Sequence, residues 1–160
     1  MEFTLRDATA SDQATIRAMV RGAHLNPMRL DWPNFLIAET TALRPGGSRP
    51  RTVGIGQLRP HDGGILELAS LVVDEAHQGQ GIGRALVQAL IARAGGPLYL
   101  YCEGHNETYY YQFGFHTLTR LEDVPRPIRF MPRLFRLIGP VVNWLTRQSL
   151  RLVVMAHPGP

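Results

Sequence analysis

The stretch Val73-Asp74-Glu75-Ala76-His77-Gln78-Gly79-Gln80-Gly81-Ile82-Gly83-Arg84 decides the reading of this chain. It follows an apolar run, Ile65 to Val73, that reads as a strand. It leads into Gly81 to Ala94, where Ile82, Leu86, Ala89, Leu90 and Ala94 recur near helical spacing. Strand, polar turn and helix are therefore joined through three glycines at alternate positions. Such a backbone can turn tightly and let a ligand come close. The first N–H groups of a helix have no intrahelical partners, and the helix dipole is positive there. A diphosphate is the guest expected at such a junction. A Walker loop does not fit, because it needs Gly-Lys-Ser/Thr and the chain has no lysine. The dinucleotide fingerprint needs Gly-x-Gly-x-x-Gly, and Gly79-x-Gly81-x-Gly83 has a different interval.

Working outward, Phe3 to Arg6 reads as a short strand, and Ser11 or Asp12 caps a helix running to about His24. Its apolar face is Ala14, Ile16, Met19, Val20 and Ala23, and Asn26-Pro27 stops it. Phe35 to Glu39 and Thr52 to Leu58 read as strands, separated by an exposed turn at residues 44–50. His61-Asp62-Gly63-Gly64 is a hairpin turn into the Ile65 strand. Leu98 to Cys102 is an interior strand, Glu107 to Phe113 a short helix closed by Gly114, and Phe115 to Leu121 a further strand. A helical pattern spans residues 132–146, and a last strand runs from Gln148 to Ala156. The order is mixed α/β, with antiparallel pairing early and helical crossovers late. One domain over residues 1–160 is expected, with no repeat and no low-complexity segment.

The composition suits a globular protein, with 44% apolar and 19% charged residues. No apolar run is long enough to span a bilayer. The N-terminal residues lack the basic-then-apolar pattern of a secretory signal, and the single Cys102 suits a reducing compartment. The expected location is cytoplasmic. The formal net charge is +4, and all 17 basic residues are arginine. Six of them lie beyond residue 124, where there are no acids, so the basic character belongs to the tail. The six histidines are scattered without metal-ligand spacing, and no metal is expected.

Gln78-x-x-Gly81-x-Gly83 after an apolar strand resembles the signature of the GCN5-related N-acetyltransferases (GNAT family), Gln/Arg-x-x-Gly-x-Gly/Ala. Tyr110-Tyr111-Gln112-Phe113-Gly114-Phe115 resembles the family's Tyr-x-x-x-Gly-Phe segment after the fifth strand. Element order agrees from Phe3 to about Leu121, roughly three quarters of the chain. The resemblance implies a central mixed, mostly antiparallel sheet of about seven strands flanked by helices. It makes the helical stretch at 125–147 an insertion between the last two strands.

The resemblance also implies acetyl-CoA as co-substrate and a primary amine of a small molecule, peptide or protein as acceptor. Leu71, Val72 and Val73 would pair their backbone with the pantetheine. Gln78, Gly79, Gln80, Gly81, Ile82, Gly83 and Arg84 would form the phosphate loop. A strand amide near Leu71 or Val72 could polarise the thioester carbonyl. A free amine of about pKa 10.4 is mostly protonated at neutral pH, so a base must take its proton. Glu67, eleven residues before Gln78, stands where some members have a catalytic glutamate. The other reading of Glu67 is a solvent-facing carboxylate beside the turn. Tyr110, four residues before Gly114, matches the tyrosine that protonates or holds the CoA sulfur, with Tyr109 and Tyr111 one register away. Where many members carry an asparagine, seven residues before this tyrosine, the chain has Glu103, and Asn106 would serve from a shifted loop.

His105 is an alternative base, and Cys102 reads as a small core residue rather than a nucleophile. Trp32 and Phe35 could line the acceptor cleft. The amphipathic tail helix could cover that cleft, form a homodimer contact or lie on a membrane surface; docking on its own domain is the expected role. No nucleic-acid partner is expected. A CoA-binding regulatory module with little catalysis is the alternative function.

Overall fold

The computed structural model describes residues 2–42, 49–134, 137 and 151–159. The strands are β1 (Thr4–Asp7), β2 (Phe35–Ala42), β3 (Arg49–Pro60), β4 (Leu66–Val73), β5 (Leu98–Glu103), β6 (His116–Thr117) and β7 (Leu152–His157). The helices are α1 (Gln13–Gly22), α2 (Ile82–Ala94) and α3 (Glu107–Tyr111). The seven strands belong to one open, mixed sheet flanked by helices. The chain divides into two compact units, Met1–Arg59 with Leu68–Arg93, and Pro60–Glu67 with Ala94–Pro160.

In the first unit β1 pairs antiparallel with β2, and β2 with β3, with Ile37 opposite Ile55 and an irregularity at Ala38/Glu39. Helix α1 supplies Ile16 and Val20 to a core with Phe35, Ile37 and Ile55, against which Met19, Trp32 and Val72 pack. Ala14 and Ala23, expected on the same face, are exposed. Two methyl-sized side chains at its margin contribute too little area to define it. Helix α2 buries Ile82, Leu86, Val87 and Leu90. A side chain at Gly54 would place its Cβ 2.9 Å from Ile82 Cγ2 and 3.1 Å from Leu86 Cδ1. A missing Cβ in mid-strand therefore lets the helix lie close on the sheet.

The start of α1 is fixed by charge. Asp12 accepts from the Thr9 N–H (2.7 Å) and the Thr9 hydroxyl (2.9 Å). The Arg6 guanidinium donates to both of its oxygens, at 2.8 and 2.9 Å. The Arg6 bonds, aided by those from Thr9 and opposed by burial, hold the Asp12 carboxyl well below the usual range. Beyond α1 the connector is pinned through its backbone. Gln13 donates to the Leu30 carbonyl (2.7 Å) and accepts from the Trp32 N–H (3.2 Å), while buried Gln57 donates to the Arg29 carbonyl (2.6 Å).

In the second unit β5 pairs antiparallel with β7 over six residues, from Leu98 opposite His157 to Glu103 opposite Leu152. Strand β6 pairs with β7 at His116 opposite Ala156. Val124, Ile128 and Val154 are buried together, with Ile65, Tyr99, Tyr101 and Leu118 against them. The Tyr101 hydroxyl donates to the Ile128 carbonyl.

The strand expected over Phe115–Leu121 shortens to His116–Thr117. Leu118 adds one bond, its N–H to the Val154 carbonyl (2.8 Å), and Leu121–Asp123 then turns as 3-10 helix. Short strands at a sheet edge leave few unpaired backbone groups. Residues 130–134 are helical, two positions earlier than expected. The remainder of the 132–146 pattern, the turn at 44–48 and the start of the last strand lie outside the described residues. Among the described residues no helix is long and apolar enough to cross a membrane.

Two outcomes follow. Gly54→Val overpacks the strand–helix contact and lowers unfolding stability by about 1–3 kcal/mol in denaturant titration. A carboxyl depressed in the folded state stabilises above its unfolded value near pH ~4 and loses that contribution as pH falls through its folded value. Asp12→Asn should therefore be less stable than wild type at neutral pH, with the gap closing steadily as unfolding is measured below pH ~4.

Candidate functional site

The junction between β4 and α2 has the geometry that its glycines allow. Gly79 and Gly81 both adopt left-handed backbone, with φ of 73° and 83°. Ideal Cβ atoms at either position would meet nothing within 4 Å, so the conformation, and not crowding, calls for glycine. Helix α2 begins at Ile82, and its first intrahelical bond runs from Ala85 N–H to the Gly81 carbonyl at 3.0 Å. A helix leaves the N–H groups of its first turn without intrahelical partners, and here that turn follows Gly81. Gly79, Gln80, Gly81 and Arg84 are exposed, while Ile82 is buried and anchors the first turn. Gln78 donates from its side chain to the Val73 carbonyl (3.1 Å), tying the loop to the end of β4.

Leu71, Val72 and Val73 occupy the end of β4 and are half-buried. Just before them Ser70 sits at φ 50°, an uncommon conformation for a non-glycine residue in a strand. Its hydroxyl donates to Gln57 Oε1 at 3.3 Å. The strand is thus irregular immediately before the three residues whose backbone was expected to serve a ligand.

Glu67 is 4% exposed, so it is not the solvent-facing carboxylate that its place beside a turn allowed. Its Oε2 lies 2.7 Å from His61 Nε2. His61 belongs to the hairpin turn, yet its side chain is only 15% exposed. The pairing was available to sequence reasoning through the hairpin register. His61 N–H bonds the Ile65 carbonyl (2.8 Å), which puts residues 61, 65 and 67 on one face of the ribbon.

Tyr110 lies on α3, with its ring edge-on to Tyr109 (5.1 Å) and Phe115 (5.8 Å). Burial, reinforced by Cys102 and Tyr109, pushes its phenol above the ordinary value. Tyr111, one register away, is exposed and bonds Glu107 at 2.7 Å and Thr117 at 2.9 Å. Asn106 is exposed and stands just before α3 with no side-chain bond to the helix. Glu103 is exposed at the end of β5, with His105 Nδ1 3.3 Å away. Cys102 is buried, with its thiol 3.8 Å from the Met155 sulfur. Burial first, and the Glu107 charge second, push it up to about 11, which suits a core residue. Among the described residues no group of His, Cys, Asp and Glu could hold a metal ion.

Residues 32–117 match the family model described as an acetyltransferase (GNAT) domain. The chain belongs to this family. Among curated proteins no sequence matches it. Among solved structures it is similar to N-acetylglutamate synthase from Neisseria gonorrhoeae complexed with coenzyme A and N-acetyl-glutamate, with TM-score 0.74 and 18% identity. That match covers 100% of this chain and 36% of the synthase, so the chain spans about a third of that protein's length. Rv2747 from Mycobacterium tuberculosis, in complex with CoA and NLQ, matches with TM-score 0.68 and 19% identity over 97% of this chain and 98% of its own. The ribosomal-protein-S18-alanine N-acetyltransferase from Escherichia coli matches with TM-score 0.63 and 18% identity over 98% and 94%. At these identities the likeness is one of fold.

Gly81→Val forces a β-branched residue into left-handed backbone at the β4–α2 junction. Saturating CoA at 100 times its Kd contributes about 2.7 kcal/mol to the stability of a binding-competent protein. The wild-type melting temperature should rise measurably with CoA, and the rise should be largely lost in Gly81→Val.

Proposed function

We propose that this chain transfers an acetyl group from acetyl-CoA to a primary amine by direct attack within a ternary complex. The observation that carries this reading is the left-handed Gly79 and Gly81 backbone ahead of α2 in a chain of the GNAT family. Bound there, acetyl-CoA supplies an activated acyl thioester. The amides ahead of Ala85 would hold its diphosphate, with Gln78 fixing the loop to β4. The Leu71–Val73 backbone would pair with the pantetheine, and one of its N–H groups would stabilise the oxyanion as the amine attacks.

Glu67 would take the proton of the attacking ammonium. A base is required because an alkylamine near pKa 10.4 holds its proton at neutral pH. Tyr110 would serve the leaving sulfur. Its phenol is pushed above the usual value of about 10, whereas a thiol lies near 8.5. Complete transfer from this phenol to a thiolate therefore runs uphill. A hydrogen bond from the Tyr110 hydroxyl, kept throughout the reaction, is the role its chemistry supports. Asn106 would touch the pantetheine from the turn before α3.

Two of the similar structures set the first acceptors to try, because their names specify an amino acid, N-acetylglutamate, and an alanine of a protein, ribosomal S18. Free α-amino acids and short peptides with an alanine N-terminus form that panel. The chain has no lysine, so lysine self-acetylation adds no background.

Amine-dependent release of the CoA thiol is the expected result. Glu67→Gln should lower kcat about 10²-fold or more, and Tyr110→Phe about tenfold with little change in CoA affinity. Thiol release that ignores the amine, or a Glu67→Gln variant as fast as wild type, would overturn the reading. CoA binding without transfer to any amine would favour a regulatory module.

A further inference from the structure

The turn at His61–Ile65 holds a feature that the family signature does not include. Asp62–Gly64 forms a single 3-10 turn, and Gly63 and Gly64 adopt φ of 72° and 75°. The tight reversal sends the His61 imidazole and the Glu67 carboxylate to the same face, as diagonal neighbours across the ribbon. Their Nε2 and Oε2 atoms are 2.7 Å apart, and the side chains are 15% and 5% exposed.

We propose that His61 is a positioning residue for Glu67, donating its Nε2–H to Oε2 so that the carboxylate is held in one rotamer when the amine arrives. This inference rests on the reading of Glu67 as the base. An ionised carboxylate is an acceptor only, which selects the tautomer with hydrogen on Nε2. The imidazolium carries the same N–H, so the bond survives a change in charge on the ring. The donor is also short and stiff. An imidazole has two side-chain torsions and loses less freedom in holding a carboxylate than a long arginine or lysine would. One bond to a charged acceptor is enough to order a buried side chain. His61 itself is ordered by its backbone, since its N–H closes the turn on the Ile65 carbonyl. The arrangement follows the logic of a catalytic group oriented by a second residue that never meets the substrate.

A purely structural role, closing the hairpin, predicts lost stability with unchanged chemistry. The test therefore compares wild type, His61→Ala, His61→Gln, Glu67→Gln and the Glu67→Gln/His61→Ala double variant. Each is measured for kcat, for KM of acetyl-CoA and for melting temperature. The expected result is a fall of about 10- to 100-fold in kcat for His61→Ala with KM for acetyl-CoA unchanged. His61→Gln, whose amide N–H can reach the same oxygen, should recover most of that loss. In the Glu67→Gln background His61→Ala should cost nothing further, because it acts only through the carboxylate. An unchanged kcat in His61→Ala, or losses that add in the double variant, overturns the proposal. Should His61→Ala fail to fold, His61→Gln decides: a folded variant with near wild-type kcat supports an N–H donor, and one as slow as Glu67→Gln overturns it. A wild-type protein that releases no thiol with any amine overturns instead the acetyltransferase reading on which the proposal stands.

Discussion

Asp74 fixes where the central strand ends, and the geometry of the β4–α2 junction depends on that. Its N–H bonds the Val53 carbonyl on β3 at 2.9 Å, the last backbone tie before the chain leaves the sheet. Its carboxylate accepts from the Ala76 N–H (3.2 Å), bending the chain into the 3-10 turn Glu75–His77. Arg51 on β3 bonds the other oxygen at 2.7 Å. A short polar residue is required here, because aspartate can both end a strand and start a turn with its own side chain. Only from this fixed point does the placement of two left-handed glycines determine where the α2 amides point. A turn free to slide by one residue would move every N–H of the loop relative to the strand.

The arrangement separates two tasks by the kind of atom that performs each. In the proposed reading, holding the diphosphate and pantetheine would fall to backbone amides and carbonyls, which every residue type but proline carries in full. The proton chemistry would, in the same reading, fall to two side chains, the buried Glu67 and the half-buried Tyr110. The backbone task constrains conformation at Gly79 and Gly81 and leaves most side chains open to change. Such a division is compatible with a fold matched at TM-score 0.74 with only 18% identity. It is also why Leu71, Val72 and Val73 can pack as apolar side chains and still present polar atoms along the strand.

Much of this was legible because the decisive signals are local. The glycine interval, the apolar periodicity of α2 and the His61–Gly64 turn each sit within one element and its neighbour, where side-chain period and turn chemistry speak directly. What escaped depends on partners distant in sequence or on register. The depth of Glu67 follows from packing, not from its neighbours in the chain. The Ser70 backbone, at φ 50°, comes from a serine that local preference would leave extended. Strand β6 shrank because an apolar pattern at Phe115–Leu121 says nothing about how many residues find a partner: Phe115 is satisfied by packing, His116–Thr117 pair with β7, and Leu118 adds a single N–H bond to it before the chain turns away. Tyr110 was separable from Tyr109 and Tyr111 only by the helix phase of α3, which leaves Tyr111 exposed.

The three tyrosines show why burial, rather than residue type, sets the chemistry available. Tyr111 faces water and spends its hydroxyl on Glu107 and Thr117, tying α3 to β6. Glu107 is in turn held below the usual carboxylate range, first by the Tyr111 bond, with Thr117 and Arg151 adding to it. Tyr110, three residues along from Glu107 on the same short helix, has aromatic rings on its flanks and is raised by burial instead. A phenol in that state remains neutral throughout the physiological range. In the proposed reading it would offer a hydrogen bond to a developing thiolate without becoming an anion that would repel it. One turn of helix thus gives two neighbouring tyrosines opposite surroundings, and the difference lies in which of them the packing draws away from water.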